Sequence, residues 1–490
     1  MSFTVITKYG RVSGQEHDGV SRFLGIPFAA SPTGARRFRA PAPPAAWDGV
    51  LAADEFGATP PKPNYPRALD VLLPEPNIAG DDWLTVNVWT PGGAGLPVMV
   101  WIYGGGFAHG NSAIAVYDGH AFARDGVVMV SFNYRVGVDG FGWLPDAPAN
   151  RGLLDQIAAL EWVQDNIAAF GGDPDKVTIF GESAGAMSVT TLLSIPRARG
   201  LFARAITQSG AAQAVADPAD AALVTSELGL ELGMEATAAN LAQVDLPRLI
   251  KAQSAVSRAL AVQPDHVRFG PTIVASSLAF VPVIDGELIP VHPMAAIAAG
   301  AGADIPLLTG TTSEEYRLFL VPSGMADQVS DELLAGLLDV LGISTRVAEL
   351  YRSNRPGATP GDLLAAMLTD NFFRLPALAI AEARAGGRAP TYVYEFAWRS
   401  PVGGLGASHA LEIPFVFDNL GASGADRILG QEVPQELADR MHAAWMRFAR
   451  TADPAWRAFD DAYPVRIFDQ PDGAVALDPR GDERRIWSSA

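Results

Sequence analysis

The 490-residue chain is acidic, with 36 Lys and Arg against 54 Asp and Glu and a formal net charge of −18. This charge disfavours nucleic acid and anionic membranes as partners, and a solvated acidic surface that aids solubility accounts for it. Cysteine is absent and the seven histidines are scattered, so the sequence predicts no disulfide and no metal site. The absence of cysteine also favours a cytoplasmic location.

The N-terminus lacks the basic and apolar regions of a secretory signal, and no apolar run approaches the ~20 residues of a membrane span. We therefore expect no membrane partner. Since no linker or repeat divides the sequence, we expect one α/β domain over residues 1–490, as a monomer or weak homo-oligomer. The Ala- and Leu-rich segment at about 215–270 predicts a helical cap inserted into that domain.

Five short apolar runs predict strands of a mostly parallel central sheet flanked by helices. These runs are residues 98–103, 127–133, 177–180, 205–209 and 305–308. Apolar residues recur at helical spacing over 153–167, which predicts a helix whose apolar stripe faces the core.

Three consecutive glycines, Gly104 to Gly106, follow the first of these strands. Glycine costs backbone entropy that a simple connection does not need. A loop whose amides must approach a reacting carbonyl does need residues without side chains. A flexible hinge is the alternative, but we predict that this loop supplies N–H donors to a developing oxyanion.

The pentapeptide Gly-Glu-Ser-Ala-Gly at 181–185 lies between the strand 177–180 and a run over 186–193 that predicts a helix. A serine on a tight strand-to-helix turn projects its hydroxyl out of the fold, and the helix N-terminus favours negative charge. Such a pentapeptide also occurs by chance in a chain with 49 glycines. Its flanks and the glycine loop favour the reading of Ser183 as a nucleophile.

A serine nucleophile needs a base, and histidine is the usual one. His409 follows a strand-like run at 391–398 and a Gly-rich loop, where α/β enzymes place catalytic residues. His109 lies just after the glycine loop but has no evident acid partner, and His442 falls in a helical run. We therefore favour His409 as the base.

The acid is expected on the loop at 310–315, which follows the buried strand 305–308 and carries the adjacent carboxylates Glu314 and Glu315. This arrangement gives the chain order Ser, acid, His. That order is the one found in α/β-hydrolases.

Further motifs extend over most of the chain. They are the segments 23–29, 37–38, 81–88, 103–107, 133–135, 152–156, 170–185, 208–210, 282–286, 310–315, 409–415 and 448–454. As a set they resemble the type B carboxylesterases of the cholinesterase-like family, especially its bacterial para-nitrobenzyl-esterase-like members. The set is specific, although most of its members alone are weak.

The resemblance implies an α/β-hydrolase fold and a catalytic triad of Ser183, His409 and Glu315. Glu315 is preferred to Glu314 because the family motif reads Gly, three variable residues, Asp, Glu. The implied oxyanion donors are the main-chain amides of Gly105, Gly106 and Ala184, and Glu182 and Ser209 resemble buried supporting residues. The implied reaction is hydrolysis of small neutral esters of hydrophobic or aromatic alcohols through an acyl-enzyme, with no cofactor.

The chain departs from the family in two places. Trp83 replaces the cysteine of the Asp-Cys-Leu signature, so the disulfide of many relatives cannot form, and we expect this tryptophan to be buried. The segment 63–80 contains one tyrosine, no tryptophan and Arg67, which disfavours a quaternary ammonium. From the resemblance and charge we also expect an ion pair between Arg37 and Asp81.

Three alternatives remain at this point. A lipase acting at interfaces, or a hydrolase of carbamates or aromatic diesters, would use the same residues. More remote is an inactive binding protein of the cholinesterase-like family. Such proteins typically lack a triad residue and carry disulfides and a membrane anchor, whereas this chain has all three triad residues and no cysteine.

Overall fold

The computed structural model describes residues 2–488, which form two compact units. The first unit contains residues 2–64, 75–206 and 212–302, and the second contains residues 65–74, 207–211 and 303–488. The prediction of one domain with a cap at about 215–270 stays a prediction.

The described residues contain the strands β1 (Ser2–Thr7), β2 (Gly10–His17), β3 (Val20–Pro27), β4 (Val50–Ala52), β5 (Thr85–Thr90), β6 (Leu96–Ile102), β7 (Val128–Phe132), β8 (Gly172–Glu182), β9 (Arg204–Gln208), β10 (Leu307–Thr312), β11 (Thr391–Phe396), β12 (Pro464–Phe468) and β13 (Val475–Leu477).

Their α-helices are α1 (Arg67–Asp70), α2 (His120–Arg124), α3 (Gly137–Phe141), α4 (Arg151–Asn166), α5 (Ala184–Ser194), α6 (Pro218–Leu232), α7 (Ala238–Leu241), α8 (Leu246–Val262), α9 (His266–Phe269), α10 (Pro271–Ser276), α11 (Pro293–Ala298), α12 (Arg317–Leu320), α13 (Met325–Gln328), α14 (Asp331–Val340), α15 (Thr345–Asn354), α16 (Pro360–Thr369), α17 (Leu375–Ala383), α18 (Ile413–Val416), α19 (Asp426–Leu429), α20 (Gln435–Thr451) and α21 (Gly481–Ser488).

The sheet of the first unit runs in the order β1-β2-β3-β5-β7-β6-β8, continues into the first half of β9, and pairs β4 with β2. The strands from β1 to β7 in this order are antiparallel neighbours, whereas β6 is parallel to both β7 and β8. All residues of β5 and β7 are buried, as expected for strands covered on both faces.

In the second unit, β10, β11 and β12 are parallel and β13 closes the edge antiparallel to β12. Parallel pairing joins β6 to β7 and β8 in the first unit and β11 to β10 and β12 in the second, which confirms the predicted mostly parallel central sheet. Several strand boundaries differ from the prediction: β8 begins at Gly172 rather than at residue 177, and β10 continues to Thr312 where a loop was expected from residue 310. The extra residues of β10 include Gly310, which by itself disfavours a strand, and pairing within a fully buried strand overrides that preference.

The expected ion pair between Arg37 and Asp81 is wrong. Arg37 Nε donates to Asp139 Oδ1 at 3.1 Å, and Nη1 donates to the carbonyls of Leu241 and Val244 at 3.3 and 2.9 Å. Asp81 is exposed. A mostly buried guanidinium gains more from buried acceptors than from a screened surface carboxylate. Arg37 thus ties the N-terminal segment of the first unit to the end of α7 and the loop that follows it.

Trp83 is 3% exposed, as expected. One helix of the described residues, Pro360–Ala383, is long and apolar enough to cross a membrane, which the sequence analysis did not anticipate. Its most apolar window is 67% buried inside the protein, which is typical of a core helix, so the helix is weak evidence for a membrane span.

Candidate active site

Ser183 occupies the turn between β8 and α5 in the first unit. Its φ of 55° and ψ of −126° lie outside the regions that non-glycine residues favour, so the backbone here is strained. From residue 177 to residue 195 every residue except Ser183 is buried. The fold therefore presents this one side chain between the buried C-terminal part of β8 and the buried helix α5.

Close packing explains the glycine that follows the serine. A Cβ at Gly185 would lie 1.9 Å from the carbonyl oxygen of Ile102, at the end of β6. A real Cβ cannot approach that closely, so only glycine lets α5 pack directly on β6. The predicted strand, turn and helix around Ser183 are therefore all present.

The glycine loop lies against the same turn. A Cβ at Gly104 would lie 2.9 Å from Ser183 Cβ and 2.7 Å from the carbonyl oxygen of Glu182. The next residue, Gly105, has a φ of +107°, and its carbonyl accepts hydrogen bonds from the amides of Ala108 and His109 at 3.1 and 2.9 Å. The loop is thus a tight turn rather than a hinge.

Main-chain amides of this loop are available to an anion. The N–H groups of Gly105 and Gly106 donate no hydrogen bond to any residue from 2 to 488. Ala184 is the first residue of α5, where an amide has no acceptor within its own helix. These three donors lie in one unit, around the partly exposed Ser183, and suit a developing oxyanion.

In the second unit, Glu315 and His409 form a short hydrogen bond. Nδ1 of His409 donates to Glu315 Oε2 at 2.6 Å, and the amide of Thr312 donates to Glu315 Oε1 at 2.8 Å. The main-chain amide of His409 donates to the Glu315 carbonyl at 3.2 Å. Since Nδ1 carries the proton in this bond, Nε2 of the neutral ring is the basic nitrogen.

Glu314 has a different environment from its neighbour. Its Oε2 accepts from the amide of Ala407 at 2.9 Å and lies 3.2 Å from Arg399 Nε, while its own amide donates to the Ala407 carbonyl. Consecutive residues of a turn direct their side chains differently. Glu314 therefore fixes the loop before His409, and only Glu315 reaches the imidazole.

Two aromatic rings pack on His409, and sequence reasoning missed both. The ring centroids of Phe319 and Phe373 lie 5.3 and 4.8 Å from that of the imidazole. Phe373 belongs to a single π-helical turn, Asp370–Arg374, between α16 and α17, and such turns often occur at functional sites. Phe319 remains 37% exposed. The sequence offered one signal for Phe319, which follows Glu315 by four residues. It offered none for Phe373, because a π turn has no reliable sequence signature.

Polar residues are buried behind these elements. The indole N–H of Trp445 donates to Oε1 of Gln208 at 3.0 Å. Nε2 of Gln208 in turn donates to Oε1 of Glu412 at 3.4 Å, so Gln208 links the two side chains. Ser209 is fully buried with a φ of 53°, and its amide donates to the Gly310 carbonyl at 2.8 Å. Glu182 is also buried, so the expected burial of both supporting residues is confirmed.

The two other candidate histidines each donate from Nδ1 to a carbonyl. His442 donates to Val416 at 2.7 Å from within α20, and His109 donates to Pro63 at 3.1 Å. Burial, with a smaller contribution from the nearby charge of Lys62, lowers the pKa of His109 to about 4 against the opposing effect of its bond to Pro63. The described residues contain no group of three or more His, Asp or Glu side chains arranged to hold a metal ion.

Comparison with known proteins shows similarity over nearly the whole chain. Residues 2–480 match the sequence model of the carboxylesterase family. The para-nitrobenzyl esterase of Bacillus subtilis is 38% identical, with 98% of this chain and 97% of that protein aligned. The phenmedipham hydrolase of Pseudarthrobacter oxydans is 36% identical, over 97% of this chain and 94% of that protein.

A solved structure is similarly close. The crystal structure of a Geobacillus stearothermophilus carboxylesterase superposes with a TM-score of 0.86 at 37% identity and covers 99% of both chains. The predicted α/β-hydrolase fold class is thereby confirmed.

Proposed function

The chain belongs to the carboxylesterase family, and on that premise we propose that Ser183, His409 and Glu315 are its nucleophile, base and acid. The protein is a carboxylic ester hydrolase that acts on small esters. The observation that carries the assignment is Ser183, the one side chain left partly exposed between residues 177 and 195, on a strained backbone at the start of a helix.

The proposed reaction has two half-reactions. His409 Nε2 takes the proton from the Ser183 hydroxyl as Oγ attacks the ester carbonyl carbon, and the carbonyl electrons move onto oxygen. The amides of Gly105, Gly106 and Ala184 donate to that oxyanion. When the tetrahedral intermediate collapses, His409 passes its proton to the departing alkoxide, which leaves as the alcohol. Water then attacks the acyl-enzyme by the same proton transfers and releases the acid.

Glu315 supports the base. Its carboxylate accepts the Nδ1 proton at 2.6 Å, which fixes the tautomer that leaves Nε2 basic and stabilises the imidazolium when it forms. The amide of Thr312 holds the other carboxylate oxygen. Neither oxygen is therefore left to rotate away from the ring.

The preferred substrates are neutral esters of hydrophobic or aromatic alcohols. Apolar side chains lie next to the reactive groups in each unit. Phe319 and Phe373 pack on His409. Leu278 lies beside the glycine loop, because its Cδ2 is 3.2 Å from the position that a Cβ on Gly106 would take. A relative of this chain is named for para-nitrobenzyl esters, which supports the same preference. The cytoplasmic location, the lack of a membrane partner and the monomeric or weakly oligomeric state stay predictions.

A substrate panel tests the proposed substrate class. We expect the highest kcat/KM for soluble 4-nitrobenzyl and phenyl esters of short acids, lower values for aryl carbamates, and little turnover of emulsified long-chain triglyceride. Carbamates outperforming the esters would replace the substrate class but keep the triad. Rate enhancement at the surface of a triglyceride emulsion would favour a lipase, and no turnover of any member would contradict the proposal.

A further inference from the structure

The glycine loop is held by a residue that the reaction does not use. His109 contacts the loop through its main chain, because its amide donates to the Gly105 carbonyl at 2.9 Å. It contacts a distant segment through its side chain, because Nδ1 donates to the Pro63 carbonyl at 3.1 Å. His109 thereby connects Gly105 to Pro63, which lies 46 positions before His109 in the chain. We call this pair of hydrogen bonds the His109 bridge.

The far end of the His109 bridge is itself fixed. Lys62, next to Pro63, forms an ion pair with Glu75 at 2.5 Å, and both side chains are nearly buried, at 7% and 6% exposure. A buried pair is expensive to separate because each charge would remain without its partner in a low-dielectric surrounding. The Pro63 carbonyl is therefore a fixed anchor rather than part of a mobile surface loop.

The two ends of the glycine loop, at Tyr103 and Gly110, are fixed as well. The Tyr134 hydroxyl donates to the carbonyl of Tyr103, the residue before Gly104, at 2.7 Å, and the two rings stack with centroids 4.4 Å apart. A Cβ at Gly110 would lie 2.4 Å from the Gly104 carbonyl oxygen, so the chain returns to its starting point after His109. Between these ends, the His109 side chain links the turn to another segment of the chain.

The position of the Gly105 and Gly106 amides matters because an oxyanion donor works only at hydrogen-bond distance from the charge that develops. We propose that His109 is a positioning residue for ester hydrolysis, which holds the oxyanion-binding turn in place through its bridge to Pro63. This inference rests on the proposed function, since it assigns His109 a part in stabilising the same transition state.

To act in this way the ring must carry its proton on Nδ1, because a carbonyl can only accept a hydrogen bond. Burial, and to a smaller extent the nearby Lys62 ammonium, lowers the pKa of His109 and so favours the neutral ring. Lys62 therefore both fixes the segment that carries Pro63 and favours the neutral form of the ring.

Two matched substitutions of His109 separate the effect of its hydrogen bond to Pro63 from the effect of its side-chain volume. His109→Asn places an amide N–H near the position of Nδ1 and retains the bond to Pro63, whereas His109→Leu removes it at similar volume. His109→Gln keeps polarity but moves the donor outward, and provides a second bond-breaking variant should the leucine variant not fold. His266→Leu, at an exposed position of α9, controls for loss of a histidine.

The measurements are kcat and KM for 4-nitrophenyl butyrate and the Ki of an aryl trifluoromethyl ketone, whose adduct with the serine carries an oxyanion. We expect His109→Leu and His109→Gln to lower kcat by about 10- to 100-fold with little change in KM, and to raise Ki by a similar factor. His109→Asn and His266→Leu should remain near wild type.

Wild-type kcat and Ki values in the leucine and glutamine variants would overturn the inference, as would equal losses in the asparagine and leucine variants. A role in stability alone would lower the melting temperature without moving Ki. Failure of the proposed function is distinguishable, because it would appear as an inactive wild-type enzyme, whereas failure of this inference alone leaves an active wild type and unchanged variants.

Discussion

Glu315 Oε2 accepts a 2.6 Å hydrogen bond from His409 Nδ1, while the adjacent Glu314 accepts instead from the amide of Ala407. Two neighbouring carboxylates of one loop thus have separate tasks. One faces the imidazole and the other fixes the backbone that leads to it.

The first prediction concerns this difference. Glu315→Gln removes the charge that supports the imidazolium and can stabilise the wrong tautomer, so kcat should fall by roughly 10³- to 10⁴-fold. Glu314→Gln keeps an oxygen for the Ala407 amide and should stay within about fivefold of wild type, in the range of a surface ion-pair loss. Steady-state kinetics of both variants on 4-nitrophenyl butyrate check this. A larger loss in Glu314→Gln would show that the acid is misassigned.

The second prediction concerns the oxyanion-binding turn. Gly105 has a φ of +107°, and a Cβ there would lie 2.6 Å from the carbonyl carbon and oxygen of His109. Gly106 has a φ of +59°, and its Cβ would meet only the flexible end of Leu278 at 3.2 Å. Alanine at Gly105 should lower kcat/KM by at least about 100-fold, the effect of a displaced donor.

Alanine at Gly106 provides the matched control. Its left-handed conformation costs an alanine about 1–2 kcal/mol, so the protein should fold and retain kcat/KM within about tenfold. Equal activities in the two alanine variants would show that the loop geometry is not what catalysis needs.

The third prediction concerns stability at acid pH. His109 has a pKa of about 4 in the folded protein, below its usual 6.5, so the unfolded chain binds its proton first as the pH falls. The free energy of unfolding should therefore decrease between about pH 6.5 and pH 4, by at most about 3 kcal/mol from this group.

Urea unfolding of the wild type and His109→Leu at pH 7 and pH 4 measures this contribution. The variant should lose less stability than the wild type over that interval, by about 2–3 kcal/mol. Identical pH dependence in the two proteins would contradict the assignment of a buried neutral histidine.

The fourth prediction concerns the alcohol. Residues 63–80 contain no tryptophan, and Arg67 is exposed in α1, so we expect this segment to offer a quaternary ammonium a positive charge rather than an aromatic face. Phenyl butyrate should exceed butyrylcholine by at least about tenfold in kcat/KM. The neutral isostere 3,3-dimethylbutyl butyrate should fall between the two, because it keeps the shape and removes the charge. Equal or better turnover of butyrylcholine would overturn this prediction.

Local features of the site were predictable from sequence. The strand, the glycine-flanked serine and the helix around Ser183 each have their own sequence signature. Gly185 is required by its close contact with Ile102, which lies on β6, the strand next to β8. The choice of Glu315 depended on the family motif, since two adjacent carboxylates look alike in a sequence. Orientation within a turn decides between them.

Long-range polar contacts were not predictable. Arg37 was expected at Asp81 but pairs with Asp139, because burial rather than charge alone selects its partner. The bond between His109 and Pro63 joins segments that share no periodicity or motif. The π turn that directs Phe373 at His409 arises inside a continuous helical pattern, where sequence periodicity predicts an ordinary helix.

The most direct test of the central claim is replacement of the nucleophile. Ser183→Ala should abolish turnover of 4-nitrophenyl butyrate and covalent labelling by diethyl 4-nitrophenyl phosphate, with an unchanged melting temperature. Ser194→Ala, at the other end of the same helix, should keep both activities. Peptide mass analysis should place the phosphoryl group of the wild type on Ser183. Full labelling or undiminished turnover in Ser183→Ala would contradict the account.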